Sequence, residues 1–201
     1  APTRLMTVYV DADDGDDANT GATPETAKQT IANALFHTLT NGTCHLAPGL
    51  YEEEVTLDRD GLTLQGADRD TTVVKGTTAA VTLSGFNTTV RDLTAAGSAI
   101  GIRVATSSHA TNTLVENCVM RGNTYGFRSL YLAAKTPYDT FRISRCIISN
   151  NTANGVYIDS VKERLLMDNC LIVRNGGDGI LSLQDNANAW RLYHCTISHN
   201  G

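Results

Sequence analysis

The chain has 201 residues, of which 18% are charged and 6% aromatic, and its formal charge is -5. That acidic balance has no basic stripe to offset it and argues against a nucleic-acid partner. No apolar run reaches the roughly 18 residues of a membrane-spanning helix. Abundant Thr, Asn and Gly suit short strands and tight turns better than long helices.

The first predicted element is a strand, LMTVYVD, with alternating apolar residues. It leads into an acidic loop, DADDGDDANTG. Carboxylates set at intervals around a glycine turn suit a hard cation, so Asp11, Asp13, Asp16 and Asp17 are the candidate Ca2+ ligands, with Asp14 beside them. The glutamate that closes a complete calcium-loop pattern is missing, and a solvated acidic turn is the competing reading.

Next comes TPETAKQTIANALFHTLTNG, which predicts one amphipathic helix. Thr23 is a good N-cap, Pro24 fits the first helical position, Glu25 complements the dipole and Asn41-Gly42 supplies the stop. Ala27, Ile31, Ala34 or Leu35, and Leu39 recur at helical spacing. TCHLAPGLYEEEVTL then reads as two short strands around a turn, and LTLQGADRDTTVVKG as a strand pair joined through Gly66. The segment 1–58 therefore holds the opening strand, acidic loop, helix and first strands, and 59–201 holds the regular coils of the same single domain.

From there a phrase returns: NCVMRGNTYGF, RCIISNNTANGV, NCLIVRNGGDGI and HCTISHNG. Cys118, Cys146, Cys170 and Cys195 are 28, 24 and 25 residues apart, and five positions after each stands Asn123, Asn151, Asn175 or Asn200. A period near 25 with short apolar alternation specifies a solenoid. Three residues before each cysteine stand Val115, Ile143, Met167 and Leu192, and two after it Met120, Ile148, Ile172 and Ile197. The preceding coil fits with Val90, Leu93 and Ala95, and Gly101 matches Gly126. A third strand follows each glycine, so three short strands per coil build three parallel sheets whose side chains alternate between interior and solvent. The predicted helix covers the open first coil.

Each column has a physical reason. Asn tolerates left-handed angles, and its amide can bond to the same amide one coil above, so a structural role outweighs a binding one. Stacked cysteines read as small buried hydrophobes rather than a disulfide framework. Coils about 4.8 Å apart still permit a bridge by Cα distance, so the redox compartment stays open.

With these columns in place, the chain resembles the right-handed parallel β-helix proteins of the pectin lyase-like superfamily over essentially its whole length. YVDADDGDDANTGATPETAKQTIANAL is similar to the opening of many secreted β-helix proteins, and GLYEEEVTL with LTLQGADRDTTVVKG is similar to the first coils of pectin methylesterases. The resemblance implies an all-β, right-handed, single-stranded parallel β-helix of about six coils with an N-terminal helical cap. It also implies a secreted or cell-surface protein whose partner is an acidic polysaccharide. The catalytic signatures of the methylesterases, polygalacturonases, epimerases and main pectate lyases are absent, and YGFRSLY offers an arginine where an epimerase-like carboxylate would stand.

In the lyases of this superfamily the substrate lies along the outer face of one sheet, which implies a Lys or Arg base and a cation for the uronate carboxylate. The matching outward column here is Arg103, Arg128, Tyr157 and Leu181, with Asp159 beyond Tyr157. Arg103 and Arg128 should stand one coil apart, about 5 Å, where two guanidinium groups repel unless an anion joins them. They form a candidate clamp for a uronate or sulfated glycan. The competing reading is two solvated arginines paired with carboxylates such as Asp159 and Glu116. Arginine holds its proton, so the base candidates are Lys135 and Lys162.

Trp190 shares a column with Thr113, Phe141 and Leu165 and should pack against the core rather than stack on sugar. His194 falls at a turn. His109, Asp139 and Asp185 complete the polar inventory of the long-loop side. The sequence stops at Gly201, where the next glycine strand should begin, which reads as truncation or as a coil end that docks on another subunit or on missing sequence. Three functions follow: a module contacting acidic polysaccharide, the N-terminal part of a polysaccharide lyase, or an adhesin or spacer stalk.

Overall fold

The computed structural model describes residues 3–105, 112–130, 139–159, 163–183 and 190–201, without the side chains of Asp139 and Glu163. Alternating short apolar segments stack as three parallel sheets. Sheet A contains the strands Leu5–Val10, Thr38–Leu46, Thr63–Gly66, Thr89–Arg91, Thr113–Glu116, Asp139–Ser144, Glu163–Asp168 and Arg191–Tyr193. Sheet B contains Gly49–Tyr51, Thr72–Val74, Thr94–Ala96, Val119–Arg121, Ile147–Ser149, Leu171–Val173 and Thr196–Ser198. Sheet C contains Val55–Leu57, Ala79–Leu83, Ile100–Val104, Tyr125–Ser129, Val156–Ile158 and Ile180–Ser182. The chain visits A, B and C in turn, so each circuit adds one strand to every sheet. The result is the expected β-solenoid.

Inside the prism, like sits on like. Sheet A carries Val90, Val115, Ile143, Met167 and Leu192 in one column, and sheet B carries Ala95, Met120, Ile148, Ile172 and Ile197 in another. Sheet C adds Val81, Ile102, Phe127, Val156 and Ile180. Phe127 and Phe141 are fully buried, with ring centroids 6.1 Å apart, and each contributes a few kcal/mol, about 2 to 3 by area. Trp190 packs against this core, as its column predicts.

Two kinds of turn separate the sheets. From A to B, a single left-handed residue bends the chain: Asp92, Asn117, Arg145, Asn169 or His194. From B to C, the column asparagines turn inward. Asn123 Nδ2 donates to Asn151 Oδ1 at 3.2 Å, Asn151 Nδ2 to Asn175 Oδ1 at 2.8 Å, and Asn175 Nδ2 to Asn200 Oδ1 at 2.9 Å. The same oxygens accept backbone N–H groups of the neighbouring coil, at 3.1 to 3.2 Å. The glycines that follow are required by close approach. A Cβ on Gly126 would lie 2.6 Å from the carbonyl oxygen of Gly155 and 2.9 Å from Asn151 Nδ2.

The N-terminal cap differs from the sequence expectation. Pro24–Thr26 forms only a turn of 3-10 helix, and the α-helix, α1, spans Ile31–His37 with Thr30 as its N-cap. The cause lies in Lys28, whose N–H donates to the Tyr9 carbonyl and whose carbonyl accepts from Asp11, so residue 28 bridges the first strand. Helix can begin only beyond that bridge. Its C-terminal end is equally constrained, because Thr38–Leu46 is taken into sheet A. Leu39, placed on the helix face by its spacing, is instead an exposed strand residue. The short helix still covers the end of the core through Ile31, Ala34 and Leu35. Among the described residues no helix is long and apolar enough to cross a membrane.

Candidate functional site

Sheet C carries the predicted outward column. Thr82, Arg103, Arg128, Tyr157 and Leu181 are register partners from one strand to the next. Alternation forces this placement, because the flanking residues, such as Phe127 and Ser129, are buried. Arg103 and Arg128 therefore stand on adjacent rungs, as expected.

Their surroundings could not be read from spacing. The Arg128 guanidinium carbon lies 5.0 Å from the ring centroid of Tyr125 and 5.1 Å from that of Tyr157, and the two rings are 5.4 Å apart. Cation–π attraction to both faces holds the arginine in place, worth about 0.5 to 1 kcal/mol per ring at a partly exposed site. Its Nε is buried and, among the described residues, has no hydrogen-bond partner. Arg103 is fixed differently, donating from Nη2 to Thr82 Oγ1 at 3.0 Å.

The acidic groups sit at the edges of this face. The Glu54 carboxyl is held below its usual range, chiefly by the Thr78 backbone N–H, with the Arg103 charge adding to the effect. Burial raises the Tyr157 phenol and the Asp159 carboxylate raises it further, so Tyr157 keeps its proton. Spacing alone missed Tyr125 and Glu54. Tyr125 was legible from its register, one rung above Ile100, whereas Glu54 belongs to an irregular coil with no repeat phrase. The base candidates Lys135 and Lys162 lie outside the described residues, as do His109 and Asp185.

Three of the five carboxylates of the acidic loop accept hydrogen bonds from nearby groups. Asp11 Oδ1 accepts from the N–H groups of Asp13 and Asp14 at 3.0 and 3.1 Å, and Asp16 Oδ1 from that of Ala18 at 2.8 Å. Asp17 accepts from Gln29 N, Thr30 N and Thr30 Oγ1 at 3.1, 2.9 and 2.8 Å. The cation at this loop is Lys28, 2% exposed, whose Nζ donates to the carbonyls of Asp17 and Asn19 at 3.1 and 2.7 Å. Among the described residues no group of three or more His, Cys, Asp or Glu side chains is placed to hold a metal ion. His194, at its turn, lies 3.5 Å from Asp168.

A family described as "Right handed beta helix region" matches residues 78–201. The chain belongs to the right-handed β-helix family. This β-helix is similar in structure to pectin methylesterase PemA from Erwinia chrysanthemi, with a TM-score of 0.62 and 17% identity over 87% of this chain and 56% of that one. A pectin methylesterase from carrot gives 0.60 and 16%, over 84% and 53% of the two chains. Another pectin methylesterase, a mutant in complex with a hexasaccharide, gives 0.61 and 18%, over 87% and 56%. The chain spans about half the length of these proteins. At such identities the likeness is one of fold. No curated protein sequence matches the chain.

Proposed function

We propose that this β-helix is a secreted or surface-displayed module that contacts acidic polysaccharide, a uronate or sulfated glycan, along the outer face of sheet C. The observation that carries the reading is the Arg128 guanidinium held by the rings of Tyr125 and Tyr157, one rung from Arg103. A preoriented guanidinium loses little freedom when it takes a carboxylate or sulfate in a forked hydrogen bond. A second arginine about 4.8 Å away raises the cost of leaving the pair without an anion. The hexasaccharide in a structural relative supports the choice of ligand class.

The same geometry favours binding over proton abstraction. An arginine side chain offers five donors and no acceptor, and Tyr157 is pushed away from the phenolate form. The test is retention on immobilised uronate polymers and sulfated glycans. Arg128→Ala should weaken retention about tenfold or more, the worth of a charge-assisted hydrogen-bond pair. Undiminished retention in a variant with a native circular dichroism spectrum overturns this face, and ultraviolet-absorbing unsaturated product overturns the purely binding role.

A further inference from the structure

A second face of the β-helix is built to meet itself. The C-terminal half of sheet A presents two outward columns, one residue either side of the buried line of Val115, Ile143 and Met167. The first column reads Leu114, Arg142, Leu166 and Arg191, and the second reads Glu116, Ser144, Asp168 and Tyr193, in strict register. Together they line a groove of about 370 Å³. Arg142, Arg191 and Tyr193 are exposed, while Leu114, Glu116, Ser144, Leu166 and Asp168 are half-buried.

The two columns are complementary at the two arginine rungs, Arg142 with Ser144 and Arg191 with Tyr193, and the two leucine rungs carry the carboxylates. Arg142 is a long cation between two leucines. Ser144, beside it, is a notch between two carboxylates, each about 4.8 Å away along the stack. Both carboxylates are held in position by turn residues: Glu116 by Arg145 at 2.8 Å, and Asp168 by His194 at 3.5 Å and by Asn169 Nδ2 at 3.0 Å.

We infer that this face pairs with the same face of a second copy, about a two-fold axis parallel to the solenoid axis. A two-fold in that direction lays the first column of one copy over the second column of the other, rung by rung. Arg142 then enters the Ser144 notch of the partner subunit and reaches both flanking carboxylates, while Arg191 meets a Tyr193 ring. Every contact occurs twice. A two-fold parallel to the strands would instead lay each column on itself in reversed rung order, which sets Arg142 opposite a leucine or an arginine and takes it off the carboxylates. Four rungs cover only a few hundred Å², well below the roughly 800 Å² per partner of a standard interface. The pairing is therefore weak and concentration-dependent.

Sedimentation velocity from micromolar to millimolar protein, without glycan, should show a reversible monomer–dimer equilibrium. Arg142→Glu sets a carboxylate against Glu116 and Asp168, and Ser144→Arg sets a guanidinium against Arg142, so each variant alone should be monomeric throughout. Mixed, the two should form a heterodimer, because the introduced acid of one meets the introduced base of the other and the second half of the interface is native. A native chain that stays monomeric to millimolar concentration overturns the inference. So does dimerisation that either variant leaves intact, or a mixture that fails to associate although both variants keep the native circular dichroism spectrum. Loss of glycan retention in Arg142→Glu alongside a monomeric native chain would assign the groove to a ligand instead.

Discussion

Neighbouring positions in the turn from sheet A to sheet B follow different rules. The outer position holds Asp92, Asn117, Arg145, Asn169 and His194, half-buried or exposed and every one at positive φ. The next position holds Leu93, Cys118, Cys146, Cys170 and Cys195, of which only Cys195 is not buried. The outer column shares a backbone shape and varies in chemistry, while the inner column shares one environment and, in four successive coils, one residue. What stacking conserves is whatever burial makes expensive. A left-handed bend costs an exposed L-residue about 1 to 2 kcal/mol, less for Asn and Asp, and leaves its chemistry free for contacts such as Arg145 with Glu116.

The strongest way to break this comparison is alkaline titration. Burial pushes the Cys44 and Cys146 thiols up, and the hydrogen bond with Cys146, followed by burial, pushes up Cys170. The native state therefore keeps protons that the unfolded chain releases once pH passes the ordinary thiol value, about 8.5. Stability should be complete below that pH and fall as pH rises toward the raised native values. The loss is about 1.4 kcal/mol per pH unit for each fully buried thiol, so Cys44 and Cys146 alone give about 2.7. Denaturant melts at stepped alkaline pH read the slope. Cys146→Ala should flatten it by about one thiol's share, and an unchanged slope would mean that the thiol column is open to water.

Next in size is a single amide. Asn151→Ala removes an acceptor from Asn123 N and Nδ2, at 3.1 and 3.2 Å, and donors from Met120 O and Asn175 Oδ1, at 3.2 and 2.8 Å. Leaving such buried groups unpaired should cost about 3 kcal/mol in a urea melt. Asn169→Ala, at the exposed turn, should cost less than about 1 kcal/mol, since among the described residues its Nδ2 bonds only to half-buried Asp168. Equal losses would remove the distinction between the two turns.

These columns also mark how far the sequence can be read. The cysteine and asparagine positions repeat because every coil solves the same packing problem, so period, inward residues and the outward line Arg103–Arg128–Tyr157 were all visible in the text. The N-terminal cap solves its problem once. Nothing in TPETAKQT announces that Lys28 will bridge Tyr9 and Asp11 and delay the helix to Ile31. The acidic loop marks the same boundary: its pattern of carboxylates is the same whether they face a cation or their own backbone, and the bonds that Asp11 and Asp16 accept from nearby N–H groups are set by the folded loop rather than by the spacing. In the same way, the rings of Tyr125 and Tyr157 around Arg128 depend on rotamers that no repeat encodes.

The smallest effect has the opposite sign and sharpens the comparison most. The turn from sheet B to sheet C begins with Gly97, Gly122, Asn150, Arg174 and His199, all at positive φ between 54 and 68°. Around Gly122 a Cβ would meet nothing within 4 Å, so the backbone angle rather than contact selects the residue here. Arg174, at φ 56° and exposed, carries the left-handed cost of about 1 to 2 kcal/mol without the relief that Asn enjoys. Glycine removes that cost but adds about 0.5 to 1 kcal/mol of unfolded-state entropy. Arg174→Gly should therefore raise stability by about 0.5 kcal/mol in a urea melt, whereas Arg174→Val, β-branched at the same angle, should lower it. A loss in the glycine variant would show that the arginine side chain stabilises the fold through contacts that outweigh its backbone, and the exposed columns would then be as constrained as the buried ones.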